Sequence, residues 1–201
     1  MGAWGGARES MKHTAGLSIT LAAIWVVSGS AIREPHAKEA APPNISASEI
    51  SAGYAILYDL ASKEKQSSLL SMIKKASPEL KSLLEGISEA SKATAKELNT
   101  LASINPPLNL KVTHLPRIEQ AARESIDKET SKQILLSQGV DLEFNVGSSQ
   151  LAGLNYAAHL ARSLAVVEAN PRRKEFLLRT DRTFSELHGR VYKMLFTRYQ
   201  R

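Results

Sequence analysis

Glu64, Glu143, Gln150 and His188 are the side chains best placed by type and spacing to hold a metal or a small ligand. Glu143 and Gln150 lie seven residues apart in the stretch GVDLEFNVGSSQLAGLNYAAHLA (139–161), so one helical face carries both. Glu64 follows Leu57 by seven and Ala61 by three, which puts it on an apolar stripe. His188 stands four after Phe184 and three before Val191, on another such stripe. Carboxylate, amide and imidazole gathered between helices could ligate a divalent metal. A di-iron bundle, however, needs Glu-x-x-His pairs projecting inward, and none occurs in this chain. The four residues therefore stand as candidates under an alternative reading, a metal- or small-ligand-binding bundle. The leading expectation is a protein that is not an enzyme, with no catalytic residue, cofactor or metal. His159 is expected at a helix rim and His114 exposed in a proline-rich loop. No serine sits in a nucleophile-elbow context, no glycine-rich phosphate loop occurs, and cysteine is absent.

Helices must position these residues, and the sequence marks where they start. SASE (46–49) has the form of a capping box, opening a helix with Ile50, Tyr54, Leu57 and Ala61 on one face and expected to reach about Lys75. SPEL (77–80) restarts the chain with Ser77 as cap and Pro78 in the first turn. Leu80, Leu84, Ile87, Ser91, Thr94, Leu98 and Leu101 then step by fours and threes, the period of a buried helical stripe. INPPLNLKVTHLP (104–116) cannot be helical throughout, because its prolines remove amides and disfavour helix before them. A polar helix is expected over 117–136, its apolar positions being Ile118, Ala122, Ile126, Leu135 and Leu136, with Gly139 as a stop. The next helix should reach about Ala169, and NPRRKEF repeats the cap-then-proline start at Asn170 and Pro171. The last helix carries Phe176, Thr180, Phe184, Leu187, Val191 and Leu195, with its arginines expected on the outer face. No segment alternates as a strand does. The expected fold is all-α, an antiparallel four-helix bundle over 46–201 with one long connection and an additional short helix. The small residues Gly147, Ser148, Ser149, Ala152 and Gly153 imply close helix approach or a ligand held between helices.

The 201 residues are 43% hydrophobic and 23% charged, a globular balance with enough apolar material for a core. Residues 15–27, AGLSITLAAIWVV, carry no charge; they follow Lys12 and precede the small-residue run SGSA. That order reads as an export signal over 1–31, expected to be cleaved in the mature protein rather than packed as a buried helix, with Met11 a second candidate start. Retention would leave a membrane anchor instead. Trp4 and Trp25, the two tryptophans, both fall in this leader. Residues 32–45 read as a flexible linker rich in proline and alanine. The expected location is periplasmic or otherwise exported. Of the net charge of +6, the last 31 residues supply all: 171–201 hold nine Lys and Arg against three Asp and Glu. The basic helix reads first as the solvated outer face of a packed helix; an anionic membrane surface is the partner it would otherwise suggest, and an exported protein is not expected to meet nucleic acid.

The order of parts resembles a bacterial envelope family of unknown function with a ferritin-like four-helix domain, described as outer-membrane or periplasmic proteins. SPELKSLLEGISEASKATAKELNTLA (77–102) looks like that family's second helix, GVDLEFNVGSSQLAGL (139–154) like its Gly…Gln…His segment, and ELHGRVYKML (186–195) like its last histidine helix. The likeness covers about 46–195. It departs where ligands would sit: Ala90 and Ser91 replace an Asp-His pair, Glu143 an Asp, Val146 a Tyr and Leu154 a His, while Gln150 and His188 match. The resemblance thus implies a ferritin-like bundle whose site has closed over, with Glu143 and Gln150 as polar remnants or partners across the helices.

Overall fold

A computed structural model describes residues 45–64 and 76–199. The described residues form five helices: α1 (Ala47–Glu64), α2 (Pro78–Leu101), α3 (Arg117–Leu136), α4 (Gly139–Val167) and α5 (Pro171–Tyr199). The chain is all-α, a helical bundle with no strand among the described residues. None of these helices is long and apolar enough to cross a membrane. The leader and all but the last residue of the linker lie outside the described residues, as does the extension of the first helix to Lys75.

The helix starts use the caps that the sequence offers. The Ser46 amide donates to Glu49 Oε2 at 2.8 Å while the Glu49 amide donates to Ser46 Oγ at 3.3 Å, a closed capping box. Ser77 Oγ accepts from the Leu80 amide at 3.3 Å, with Pro78 in the first turn. Asn170 Oδ1 accepts from the amides of Arg172 and Arg173 at 3.1 and 3.2 Å. Gly139 does not end a helix. It joins two, at φ +54°, in the left-handed region where a Cβ would be strained.

Side-chain pairs fix the helix directions. Tyr54 meets Glu168 and Glu64 meets Gly153, so α1 and α4 are antiparallel. Arg162 meets Asp181 and Gly147 meets Leu195, so α4 and α5 are antiparallel. Arg179 meets Glu97 and Leu187 meets Gly86, so α5 and α2 are antiparallel. With α1 packed on α2 as well, the four long helices close a ring in the order α1, α2, α5, α4. α2 and α4 consequently run parallel, and the chain between them must travel the bundle's length. It does so through 102–116 and α3, which packs outside the ring against α4.

Every residue of the α2 stripe from Leu80 to Leu101 is buried, as are Phe176, Thr180, Phe184, Leu187, Val191 and Leu195 of α5. Burying these side chains is the main stabilising term, about 1.5–3 kcal/mol for each large one. Expectations other than that for Gly139 fail too. The additional helix is not short: α3 has 20 residues. Its apolar positions Ile118, Ala122, Ile126, Leu135 and Leu136 are all exposed, Ile118 to 80%. α3 leans on the bundle instead through Glu119, Arg123, Thr130 and Ile134, the stripe next round the helix. Nor do all the α5 arginines face outward. Arg173 is 1% exposed, because it stands three before Phe176 and seven before Thr180, on the buried stripe.

Candidate functional site

Glu64 and Gln150 are brought together. Gln150, 5% exposed on α4, turns its amide toward the half-buried carboxylate of Glu64, the last residue of α1. Removal from water holds the Glu64 carboxyl above its ordinary range, and the Asp127 charge pushes the same way. The hydrogen bond from Gln150 opposes both. Gly153 makes room here, since a Cβ on it would sit 3.1 Å from Glu64 Oε1. The oxygen of the Gln150 amide, Oε1, has no hydrogen-bond partner among the described residues.

Glu143 turns elsewhere. It is buried, and its Oε1 accepts from the Ser77 amide at 3.0 Å, which ties the start of α2 to the start of α4. His188 is half-buried on α5, and no hydrogen bond or ion pair among the described residues joins it to Glu64, Glu143 or Gln150. Among the described residues, no three His, Asp or Glu side chains converge as metal ligands. His159 is exposed near Asp181, whose carboxyl is held below its ordinary range chiefly by the hydrogen bonds from Arg162 at 2.9 Å. His114 is exposed in the crossover.

The small face of α4 serves packing at Gly147: a Cβ there would fall 2.8 Å from Leu195 Cδ2. An equivalent contact on α1 was not singled out from the sequence, where Gly53 receives Leu164 with only 2.7 Å to spare for a Cβ. Close helix approach thus rests on Gly53 and Gly147, whereas Gly153 accommodates a carboxylate.

At the other end of the bundle lies a polar group that sequence reasoning missed. Tyr54 and Arg173, both fully buried, flank Glu168 in the turn between α4 and α5. The Tyr54 hydroxyl donates to Glu168 Oε2 at 2.6 Å, and the Asn170 amide donates to Glu168 Oε1 at 2.7 Å. Arg173 Nη1 lies 3.9 Å from Glu168 Oε2, while Nη2 donates to the carbonyls of Ile104 and Pro106 at 3.0 and 2.6 Å. Burial, then the bond to Glu168, push the Tyr54 phenol well above its ordinary range, so it stays a donor. With Tyr54 bringing α1 to the same carboxylate, Arg173 ties α5 to the α4–α5 turn and the head of the crossover. Its position on the buried stripe of α5 was the readable signal.

The outer face carries aromatic and cationic groups. Tyr192 and Phe196 stack at 5.8 Å between ring centroids and stay 54% and 49% exposed on α5. Arg182, Arg190 and Lys193 are exposed on the same helix. Phe144 and Val140, also exposed, lie on the side of α4 that borders α5, because Gly147 of that face meets Leu195.

No family model, curated protein or solved structure matches the chain.

Proposed function

We propose that this is a non-catalytic, exported helical-bundle protein of the bacterial envelope, with the ferritin-like four-helix arrangement of the family it resembles, and that it works by binding through its outer face. The partner is an anionic membrane surface met by α5. The observation that carries this reading is the stacked Tyr192–Phe196 pair, exposed on the most basic helix of the chain. Aromatic rings favour the boundary between water and acyl chains, and neighbouring Arg and Lys side chains add attraction to anionic headgroups. The polar interior, by contrast, is engaged largely in tying helices together, with Glu143 on Ser77 and Arg173 on Glu168 and two carbonyls. Extraction of native envelopes tests the proposal. Tyr192→Ser/Phe196→Ser should move the protein from the membrane-associated to the salt-soluble fraction, and unchanged association would refute α5 as the docking surface.

One observation favours a second reading, a metal or small ligand between α1 and α4. It is the buried Gln150 Oε1 without a partner beside a carboxylate. A rise in unfolding midpoint on adding Mn²⁺, Fe²⁺ or Zn²⁺ that disappears in Gln150→Leu would establish it. No metal response would remove it.

A further inference from the structure

A cavity of about 340 Å³ opens between α1, the crossover and α3, and none of Glu64, Glu143, Gln150 and His188 lines it. That volume suits a small organic molecule rather than a bare ion. Three elements send cations into it: Lys63 from α1, Lys111 from the crossover and Arg123 from α3. Lys63 is held between Asp59 at 3.3 Å and Asp127 at 3.1 Å, so its charge is already answered. Arg123 is held in place without being used up. Its Nε donates to Glu119 at 2.8 Å, its Nη2 to the Tyr156 hydroxyl at 3.3 Å, and its guanidinium lies 5.4 Å from the Tyr156 ring centroid. Nη1 keeps both hydrogens without a partner among the described residues. The ammonium of Lys111 likewise has no ion pair there.

The wall that carries Lys111 is fixed at several points. Ser51 Oγ accepts from the Asn109 amide, Asn109 Oδ1 accepts from the Lys111 amide, and Gln120 Nε2 donates to the Leu115 carbonyl at 2.9 Å. His114, between the lining residues Thr113 and Leu115, takes φ +52°, the left-handed conformation in which histidine is enriched among residues with a Cβ, and so turns the chain at this wall. Ile56 and Leu115 add an apolar wall, and the carboxylates of Asp59 and Glu124 line the remaining edge.

We propose that this cavity binds a small organic monocarboxylate with an apolar body, its carboxylate held by Lys111 and Arg123 Nη1 and its body against Ile56 and Leu115. The ammonium of Lys111 answers a single negative charge, and Arg123, whose own charge is paired with Glu119, adds the two hydrogens of Nη1 as a charge-assisted donor. Asp59 and Glu124 repel a second charge, which disfavours dicarboxylates and phosphate. This inference is independent of membrane docking.

Benzoate titrated into the full-length protein, followed by calorimetry or by amide shifts, tests it, with succinate, inorganic phosphate and sulfate in parallel. Benzoate should saturate one site, bind at least about tenfold more tightly than the other three, and lose at least about tenfold in Lys111→Ala. Lys111 is exposed, so that variant should melt as wild type does. Arg123→Lys, which keeps the charge and gives up the planar edge, should weaken benzoate as well, and its own melt shows that α3 is still docked. No saturable benzoate binding, equal binding of sulfate or phosphate, or benzoate affinity unchanged in Lys111→Ala would each overturn the proposal.

Discussion

Replacing Arg173 with Met keeps most of the side chain's volume and removes its charge and donors, so the loss can be worked from the contacts. Nη2 makes two hydrogen bonds, to Ile104 O at 3.0 Å and Pro106 O at 2.6 Å. Bonds with a charged partner contribute roughly 1.5–3 kcal/mol each, and the substitution leaves two carbonyls, one on half-buried Ile104 and one on exposed Pro106, without it. Glu168 would lose its only nearby cation among the described residues while keeping the Tyr54 hydroxyl and the Asn170 amide as donors. The 3.9 Å separation makes that pair a charge interaction rather than a hydrogen bond. Breaking a buried pair on one side costs about 3–5 kcal/mol, and we expect Arg173→Met to fall in that range. Arg173→Lys should lose less, about 1–3 kcal/mol, since a single ammonium can still reach one carbonyl. Arg173→Met combined with Glu168→Gln should cost less than the two single changes added together, because no buried charge is then left alone. Urea unfolding followed by far-ultraviolet circular dichroism gives all four corners of the cycle. A loss below about 1 kcal/mol for Arg173→Met, or strict additivity in the cycle, would refute the reasoning.

Leu84→Ala and Leu98→Ala each empty a fully buried site of α2, and each should cost about 2–5 kcal/mol in the same unfolding assay. Gly147→Ala gains up to about 1 kcal/mol of helix propensity but drives a methyl to 2.8 Å from Leu195. Overpacking of about 1–3 kcal/mol should leave it net destabilising, and Gly147→Ala/Leu195→Ala should relieve that part. Glu64 has its carboxyl raised by burial, so in acid its stability contribution is fully present below the ordinary value of 4.5 and is lost as pH rises through the folded value. Glu64→Gln should flatten this fall in a pH series of unfolding midpoints and gain relative to wild type at neutral pH. A Glu64→Gln curve parallel to wild type would contradict it.

What the sequence disclosed follows from how local its signals are. Ser46, Ser77 and Asn170 cap helices through bonds spanning two or three residues, and the α2 stripe repeats within one element, so both were legible without any fold. The direction of α3 was not. Its few apolar residues, Ile118, Ala122 and Ile126, mark a face by period, but the helix rests on the bundle through Glu119 and Arg123, whose long stems and paired charges cover surface as well as aliphatic side chains do. Glu143 and Gln150 share a face as their spacing of seven requires, yet Glu143 meets Ser77 while Gln150 meets Glu64, and only the tertiary arrangement decides that. Tyr54 and Glu168 are 114 residues apart, so no pattern in one helix announces their bond. Arg173 had a readable position and an unreadable partner set.

Binding of the isolated protein to lipid vesicles tests the central claim most directly. The account predicts sedimentation with vesicles containing phosphatidylglycerol, little with phosphatidylcholine alone, a fall in binding as salt screens the surface charge, and loss of binding in Tyr192→Ser/Phe196→Ser with an unchanged melting curve. Equal binding to both lipids, or full binding by the double variant, would contradict it.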